Sequence, residues 1–495
     1  MKKIFTIIAT VAVLSLSSCK DYLDINHSPN APEEDLATMD MALPAAEMAL
    51  AARYGDVFRI LGGYFSEHYA HYFGTGNYVT YSQFKLASTS TNGAYMDLNR
   101  AAIGNATFVR NKAEEQEIWG TYLAATVIRA FSYQVLVDAY GETPYSEAQQ
   151  GLENLNPKFD DGKDIYAGII AELDEALAKV TAEDMPVATN MLYPDEGAGP
   201  WIRFANALKL KILMRERAVV NVDDQLKALV EEGKFPTEDV AWNCFTSNAS
   251  GKANPFYQEE FASYFGSTQV NVALNVALYR AMSDYGDSRL QAFFSPNNNK
   301  QYWGSISGDN LSTSTNYKAA AFCRPNMHYD DPVYLISLAE INFLLSEYYA
   351  KVVKDAAMAK EYYEAAIAAS FETAGAEGVE DVFEAYPYDG SDKTFGIQKW
   401  IALSGINNFE AWCEMRRLGY PTFGGKKAED IYSFAADSLD PSVLEPGDLY
   451  TPYQVNSEVG PNQIVQRFPY AESSKLYNSN YPGDKSLTTK VFWAK

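Results

Sequence analysis

Residues 331–353, DPVYLISLAEINFLLSEYYAKVV, and residues 356–372, AAMAKEYYEAAIAASFE, decide the fold. In the first stretch, Leu338, Ile341 and Leu345 recur at steps of three and four residues, and the pattern continues into Tyr348 and Tyr349. This period is typical of an amphipathic helix, and the proline near the start of the stretch suits a first helical turn. The second stretch has the same period. The sequence therefore predicts two consecutive helices joined by a short turn.

The pair is similar to a tetratricopeptide unit. Ala359, Tyr363 and Ala366 have the small-aromatic-small spacing of the second helix of that repeat. The first helix fits less well, because Ser346 and Glu347 stand where the repeat has Leu and Gly. A degenerate repeat and an ordinary helical hairpin both account for the pattern, and both place the two helices side by side.

Two further stretches, residues 117–141 and 201–217, also have helical period. The first is predicted to carry one apolar face, formed by Trp119, Tyr122, Leu123, Val127, Ala130, Tyr133 and Val137, and to end at Gly141. In the second, we expect the cations on the solvent face or in the last turn, where they suit the helix dipole. These cations are Lys209, Lys211, Arg215 and Arg217.

Long, turn-rich segments separate the helices, at residues 74–95, 240–270, 295–330 and 420–490. Loops of this length are uncommon in a compact chain and are usually functional. Strands and helices do not alternate, so no parallel sheet is expected. The predicted fold is mostly α, with tetratricopeptide-like helical hairpins that form a scaffold, long irregular loops and few short strands.

The N-terminus has the layout of a secretory signal. Lys2 and Lys3 precede an apolar run at residues 4–16, which is shorter than the roughly 20 residues that cross a bilayer. The order Leu16-Ser-Ser-Cys19 resembles a bacterial lipobox, in which the cysteine is acylated and the chain is cut just before it. An ordinary secretory signal with an incidental cysteine is the alternative. We predict a signal peptide at residues 1–18 and a lipidated Cys19.

The segment after Cys19 is polar and loose. Residues 20–35, KDYLDINHSPNAPEED, are acidic and contain two prolines, a composition typical of an unpacked linker. We predict a lipidated tether at residues 19–40 and a single helical domain at residues 41–495. Acyl chains contribute about 0.8 kcal/mol per buried methylene, so several chains would hold the domain durably on a membrane.

The net charge excludes one class of partner. The chain has 495 residues, with 40 Lys and Arg against 64 Asp and Glu. Residues 1–18 include two of the lysines, so the mature chain has 38 basic residues against 64 acidic ones and a net charge of −26. Such a surface repels phosphate backbones, so no nucleic-acid partner is expected. Cys244, Cys323 and Cys413 cannot all pair and match no zinc spacing, so a large core must stabilise the fold.

No catalytic motif stands out in the sequence. It contains no Gly-x-Ser-x-Gly elbow and no His-Glu-x-x-His pattern. His68 and His71 would lie one turn apart on a helix and could share a metal with Glu67, but no third ligand is evident, and two structural histidines are the favoured interpretation. We therefore predict a binding protein rather than an enzyme, with no metal and no cofactor. A surface glycoside hydrolase with an unrecognised pair of carboxylates is the enzymatic alternative.

Two loops combine flat rings with amide side chains. Residues 70–84 read AHYFGTGNYVTYSQF, and residues 295–310 read SPNNNKQYWGSISGDN. Sugars present C–H faces that stack on rings, and their hydroxyls need amide, carboxylate or guanidinium partners. The predicted ligand-binding residues are Tyr72, Phe73, Asn77, Tyr78, Tyr81, Asn297, Asn299, Tyr302 and Trp303. The alternative is that these rings pack the loops onto the scaffold.

Seven stretches in order carry a resemblance to a known family. They are DYLDINHSPNAP (21–32) after the lipobox, VDAYGETPYSEAQQG (137–151), WIRFANALKLKILMR (201–215), SRLQAFF (288–294), LAEINFLLSEYYA (338–350), IQKWIALSGINNFEAWCEMRRLGYPTF (397–423) and QRFPYAESSKLYNSN (466–480). Together they resemble the SusD/RagB family of outer-membrane lipoproteins, in its SusD-like nutrient-binding branch. The family's tail motif often reads Arg-Ile-Pro-Tyr-Pro, whereas here Arg467-Phe-Pro-Tyr470 is followed by Ala471, a change in a structural turn.

The resemblance implies a fold, a place and a partner. It implies a helical fold with several tetratricopeptide-like hairpins and a loop-rich ligand face. It implies a lipid-anchored protein exposed on the cell surface, and the acidic residues after Cys19 resemble the surface-export signal of Bacteroides-group lipoproteins. It also implies a partner, a SusC-type TonB-dependent transporter barrel, to which the protein passes captured oligosaccharides. A peptide ligand and a helical scaffold that binds only proteins stay open as alternatives.

Overall fold

The computed structural model describes residues 37–72, 77–186, 188–261, 271–308, 323–433, 435–436 and 438–495. The predicted signal peptide, Cys19, most of the predicted tether and Phe73 lie outside these residues. Helices dominate the described chain, which confirms the mostly-α prediction. Numbered in chain order, the α-helices are α1 Met39–Arg53, α2 Arg59–Phe65, α3 Val79–Ser82, α4 Asn92–Asp97, α5 Gly104–Glu115, α6 Trp119–Tyr140, α7 Gly162–Lys179, α8 Gly199–Glu216, α9 Asp223–Glu232, α10 Pro255–Glu260, α11 Val276–Ser283, α12 Arg289–Phe293, α13 Leu338–Tyr348, α14 Ala356–Ala374, α15 Val379–Ala385, α16 Asp392–Leu403, α17 Asn408–Leu418, α18 Ala428–Ile431 and α19 Glu472–Tyr477.

The strands of the described chain are short and form two-stranded pairs. They are β1 Tyr69–His71, β2 Thr143–Pro144, β3 Phe159–Asp160, β4 Val240–Trp242, β5 Val272–Leu274, β6 Phe294–Ser295, β7 Arg324–Pro325, β8 Val333–Ile336, β9 Phe423–Lys427, β10 Tyr432–Ser433, β11 Ser438–Leu439 and β12 Leu449–Thr451. One pair contradicts the sequence-based expectation, because β12 runs parallel to β9, with Leu449 opposite Phe423. The long connection between them supplies the crossover that parallel strands need.

Helix α6 forms the centre of the core. The sequence predicts one apolar face, but every residue of this helix after Trp119 is buried. Neighbouring helices, among them α1, α5, α7 and α8, cover it from several sides. Gly141 ends the helix with a φ of +79°, as predicted, since a residue without a Cβ adopts that backbone conformation at little cost.

The helix predicted within residues 331–353 begins later than its proline suggests. Residues Val333–Ile336 form strand β8, which pairs antiparallel with β4, and α13 starts at Leu338. Ser337 caps the helix, because its Oγ accepts the N–H of Glu340 at 3.1 Å. The strand pairing is a contact with a distant part of the chain, and it overrides the local signal from Pro332.

Helices α13 and α14 form the predicted antiparallel hairpin. The ring centroids of Phe343 and Tyr363 lie 6.1 Å apart, and Ser346 Oγ donates to the Ala359 carbonyl at 2.7 Å. The contacts therefore run in opposite directions along the two helices. Ser346, the residue that departs from the repeat consensus, is small enough for close packing and satisfies its hydroxyl across the interface.

Helix α8 places two cations in the core rather than in solvent. Lys211 and Arg215 are each 1% exposed. Lys211 Nζ lies 3.0 Å from a carboxylate oxygen of Glu340 and 3.0 Å from one of Glu410. Arg215 forms ion pairs with Asp138 and Glu410. Arg215 lies in the last turn of the helix, as predicted, but the expected exposure is wrong for both residues, because acids on α6, α13 and α17 compensate their charges inside the bundle.

The other two cations of this helix lie where the sequence predicts. Lys209 and Arg217 are partly exposed, and they pair with Asp174 at 2.5 Å and with Asp223 at 2.8 Å. No described helix combines the length and apolarity of a membrane crossing. Cys244, Cys323 and Cys413 are all unpaired thiols.

Candidate functional site

Strand β5 brings the two predicted ligand loops together. Strand β1, which leads into the first loop, pairs antiparallel with β5 so that Tyr69 lies opposite Leu274. On the other edge of β5, Ser305 N–H donates to the Leu274 carbonyl at 2.7 Å, and Val276 N–H donates to the Ser305 carbonyl at 2.9 Å. Gly304 makes this close approach possible, because a Cβ there would lie 2.4 Å from Val276 Cα.

Direct hydrogen bonds also join the two loops. The N–H of Gly308, at the described end of the second loop, donates to Ser82 Oγ at 3.1 Å. Gln83 Nε2 donates to the Gly308 carbonyl at 2.7 Å. Residues more than 200 positions apart in the chain are therefore in direct contact. The sequence predicts both loops as ligand-binding segments but does not indicate that they are in contact.

Tyr78 and Tyr81 of the first loop form a stacked pair. Their ring centroids are 5.2 Å apart with an interplanar angle of 23°, and each ring meets the buried Tyr64 edge-on at 6.2 Å. Tyr64 anchors the group, since its hydroxyl donates to the Asn271 carbonyl at 3.1 Å. Burial raises the pKa of Tyr64 and Tyr78 well above the usual range, so both phenols stay protonated. Tyr78 and Tyr81 are half-buried, so part of each ring faces outward.

The other described residues of the first loop differ in exposure. Tyr72 is half-buried against the core, and its N–H donates to the Asn271 carbonyl at 2.6 Å. Asn77 is exposed. Asn271 thus holds both the strand end and the Tyr64 anchor, which fixes the base of the loop.

The asparagines of the second loop have different roles. Asn297 is 4% exposed, and its side-chain carbonyl accepts the N–H groups of Asn299 and Gln301 at 2.9 Å each. It shapes the turn from inside. Asn299 is exposed and keeps its amide available at the surface.

Tyr302 and Trp303 are both half-buried but are held differently. Tyr302 packs against the hydrophobic core, whereas the Trp303 ring is not among the described side chains that do so. The Trp303 backbone is fixed, because its N–H donates to Cys323 Sγ at 3.2 Å. Among the described rings of the two loops, Trp303 thus combines a fixed backbone with no core contact within the described chain.

Sequence reasoning missed a charged group beside these loops. Arg324, the residue after Cys323, is the first residue of strand β7. Its guanidinium lies 4.4 Å from the ring centroid of Phe261. Its Nη2 donates to the Glu260 carbonyl at 2.9 Å. The Glu260 carboxylate accepts the N–H groups of Asn271 and Val272 at 3.0 and 3.1 Å, so it acts as a structural support. No local pattern marks Arg324, because its partners come from other segments.

His68 and His71 do not form a metal site. Residues Tyr69–His71 are strand β1, not a helix, and the two rings have separate partners. His68 Nδ1 lies 2.9 Å from Asn408 Nδ2, and His71 Nδ1 lies 3.0 Å from Ser82 Oγ. Burial lowers the pKa of His68 to about 3 and that of His71 to about 4. Among the described residues, no group of three His, Cys, Asp or Glu side chains is placed to hold a metal ion. Both histidines are neutral structural groups.

The described residues of the two loops include the half-buried rings of Tyr78, Tyr81 and Trp303 and the exposed side chains of Asn77 and Asn299. Rings paired with amide donors and acceptors match the apolar faces and hydroxyls of sugars.

Comparison with solved structures finds the same architecture repeatedly. A SusD homologue from Bacteroides uniformis has a TM-score of 0.72 and 22% sequence identity, with 92% of this chain and 100% of that chain covered. A chitin-binding protein also has a TM-score of 0.72, with 20% identity over 92% of this chain and 100% of that one. A SusD homologue from Bacteroides thetaiotaomicron has a TM-score of 0.69 and 18% identity, covering 92% and 99% of the two chains. These identities are low, so the likeness shows a shared fold.

The sequence itself gives the family. No curated protein matches the chain. A SusD-like family model, described as starch-binding and associating with the outer membrane, matches residues 54–436, which is more than half of the chain. This confirms the resemblance in the sequence: the chain belongs to the SusD-like family of outer-membrane-associated, starch-binding proteins.

Proposed function

We propose that this protein is a cell-surface lipoprotein that binds oligosaccharides and delivers them to a SusC-type TonB-dependent transporter in the outer membrane. It acts by binding and carries out no catalysis. The observation that carries the proposal is the convergence of two aromatic loops around β5 in a member of a starch-binding family. The loops supply the stacking faces in this proposal.

A carbohydrate ligand is favoured over a peptide. The family description names starch, and one structural relative is a chitin-binding protein. The half-buried rings of Tyr78, Tyr81 and Trp303 suit the C–H faces of pyranose units, whose stacking contributes on the order of 0.5–1.5 kcal/mol per ring. The site residues proposed from the sequence are therefore retained. Asn297 and Tyr302 are assigned a supporting role because they are held within the fold.

Binding to an array of purified glycans and peptides tests the proposal, with Trp303→Ala as the first variant. Loss of one stacking ring should weaken glycan binding several-fold to about tenfold, because about 0.5–1.5 kcal/mol of contact energy is removed. The melting temperature should stay nearly unchanged, since the described core residues do not pack against the ring.

Trp119→Ala is the matched control. This half-buried tryptophan contacts Tyr122 and Lys179 and neither ligand loop, so glycan affinity should stay at the wild-type value. Trp303→Ala with lower stability but unchanged affinity would place the site elsewhere. Binding of peptides and of no glycan would replace the proposed ligand class.

A further inference from the structure

Arg59 is a buried cation without a carboxylate partner. It is 5% exposed, and no described carboxylate lies within 4 Å of its nitrogens. By contrast, the buried Arg215, Arg289 and Arg417 each pair with acids. The buried Arg416 also lacks an acid partner, but each of its side-chain nitrogens donates to a neighbouring acceptor. Charged groups are almost never fully buried unless they are paired or bind a ligand. The charge of Arg59 therefore calls for an explanation.

The contacts of Arg59 are neutral and incomplete. Its Nη2 donates to the Gly405 carbonyl at 2.9 Å and lies 3.6 Å from Met327 Sδ. Its guanidinium lies 4.7 Å from the ring centroid of Phe256, and the Tyr69 hydroxyl also faces it. The Nε–H finds no acceptor among the described residues. A hydrogen-bond donor on a buried charge is left unsatisfied.

Arg59 lines a cavity of about 200 Å³. A single water needs only about 10–15 Å³ of such space, so the cavity has room for a ligand of several heavy atoms. Phe293 and Ile406 give it apolar walls, and Asn326, His328, Asp331 and Thr373 add polar groups. An aromatic and aliphatic wall with a few polar groups is the usual make-up of a small-molecule site.

We propose that this cavity binds a sugar acid, with the ligand carboxylate on Arg59 and the sugar hydroxyls on Asp331 and Asn326. A guanidinium holds a carboxylate through charge-assisted hydrogen bonds. Asp331 has a carboxylate oxygen fixed by the backbone N–H of His328 at 2.7 Å, so it is oriented and offers acceptors for hydroxyls. A neutral hexose would bring no ion-pair partner to Arg59.

The cavity lies next to the proposed glycan site but is separate from it. Strands β6 and β7 pair with Ser295 opposite Arg324, and Asn326 continues from β7 into the cavity wall. Ser295 Oγ donates to Asn326 Oδ1 at 3.2 Å, which connects the start of the second loop to the wall. The choice of a sugar as the ligand rests on the proposed function, whereas the preference for an acid rests on Arg59.

Ligand-observed NMR titration of the folded protein with glucuronate, galacturonate, glucose and acetate tests the proposal. Both uronates should bind at least tenfold more tightly than glucose, and more tightly than acetate, which lacks the hydroxyls. Equal affinity for glucose and glucuronate, or no uronate binding, would overturn the assignment. Acetate that binds as tightly as the uronates would overturn the sugar part of it.

Two cavity variants locate the site. Arg59→Met should abolish the preference for uronate, and Ala374→Leu should weaken uronate binding at least tenfold by filling the cavity while Arg59 is unchanged. Since Arg59 also holds Gly405, the second variant keeps the test valid if the first one misfolds. Trp119 lies outside the cavity lining, so Trp119→Ala should leave uronate affinity unchanged. If the proposed function is wrong, the glycan array will show no glycan binding. If only this inference is wrong, the array will show binding and the NMR titration will show no preference for uronates. Uronate affinity that survives Ala374→Leu in a folded protein contradicts the proposed cavity.

Discussion

Buried polar side chains at single positions decide how this fold responds to acid. His71 is fully buried, and its ring meets Ser82 of the first ligand loop. Burial lowers the pKa of His71 from its ordinary value of 6.5 to about 4, because the charged ring is poorly solvated there. Glu67 nearby in sequence responds in the opposite sense, since burial raises the pKa of its carboxyl well above the usual range. A substitution of His71 alone therefore separates its effect on stability from that of Glu67.

We expect His71→Asn to flatten the acid limb of the stability curve. The unfolded state binds a proton near pH 6.5 and the folded state only near pH 4, so the stabilising contribution is complete above pH 6.5 and falls as the pH drops towards 4. Asparagine keeps a polar atom near Ser82 but does not titrate. Urea unfolding measures the free energy of unfolding at about pH 7.5 and 4.5. Between these pH values it should fall by roughly 2–3 kcal/mol less in the variant than in the wild-type protein. Equal losses in both proteins would contradict a neutral buried ring.

At the scale of helices, the bundle is joined by buried charge as well as by apolar packing. Lys211 on α8 lies between Glu340 on α13 and Glu410 on α17, and all three side chains are essentially inaccessible. Lys399 on α16 reaches Glu414 on α17 at 2.7 Å. Each cation contacts acids from a different helix, so the cluster fixes how the helices pack against one another.

Lys211→Met should destabilise the fold strongly, because it leaves Glu340 without an ion-pair partner in the core and leaves Glu410 with Arg215 alone. Removal of one partner of a buried ion pair typically costs about 3–5 kcal/mol. Lys209→Met on the same helix is the control, and it should cost less than about 1 kcal/mol, since its partner Asp174 is largely exposed. The measurement is denaturant unfolding at neutral pH. Similar losses for both variants would show that the buried pairs do not hold the helices.

Local sequence predicts these elements well where local chemistry sets them. The hairpin of α13 and α14 follows from residue spacing, and the end of α6 follows from Gly141. The start of α13 does not, because the partner of Val333–Ile336 is strand β4, far away in the chain. The cations of α8 have a spacing that suits a solvent face, and only the acids of other helices reveal that Lys211 and Arg215 are buried.

For the whole molecule, the proposed ligand face is a product of tertiary structure. The composition of the two loops predicts both as ligand-binding segments, but β5 and the contacts of Gly308 bring them together. Arg324 and Arg59 could not be predicted as candidate binding residues, because the side chains around each of them are distant in sequence. The resemblance to the SusD-like family supplied what local patterns lack, namely the kind of ligand and the association with the outer membrane, and the family match confirms that resemblance.

The proposed place of the molecule in the cell rests on Cys19, which precedes the described chain. Acyl chains contribute about 0.8 kcal/mol per buried methylene, whereas a mature net charge of −26 gives no attraction to anionic lipid. Cys19→Ala should therefore move the protein from the membrane fraction to the soluble fraction. Because a bound transporter could retain the variant, the fractionation requires a strain without the transporter and a high-salt wash.

In the wild-type strain, the same protein should co-purify with a TonB-dependent barrel in mild detergent. The two readouts test the proposed lipid anchor and the proposed contact with the barrel separately. If the domain alone carries that contact, Cys19→Ala should still bind the barrel when both are solubilised. A variant that sediments after the salt wash without the transporter would rule out lipid as the anchor. A wild-type protein recovered only as a free monomer under several gentle conditions would contradict a stable complex with the transporter.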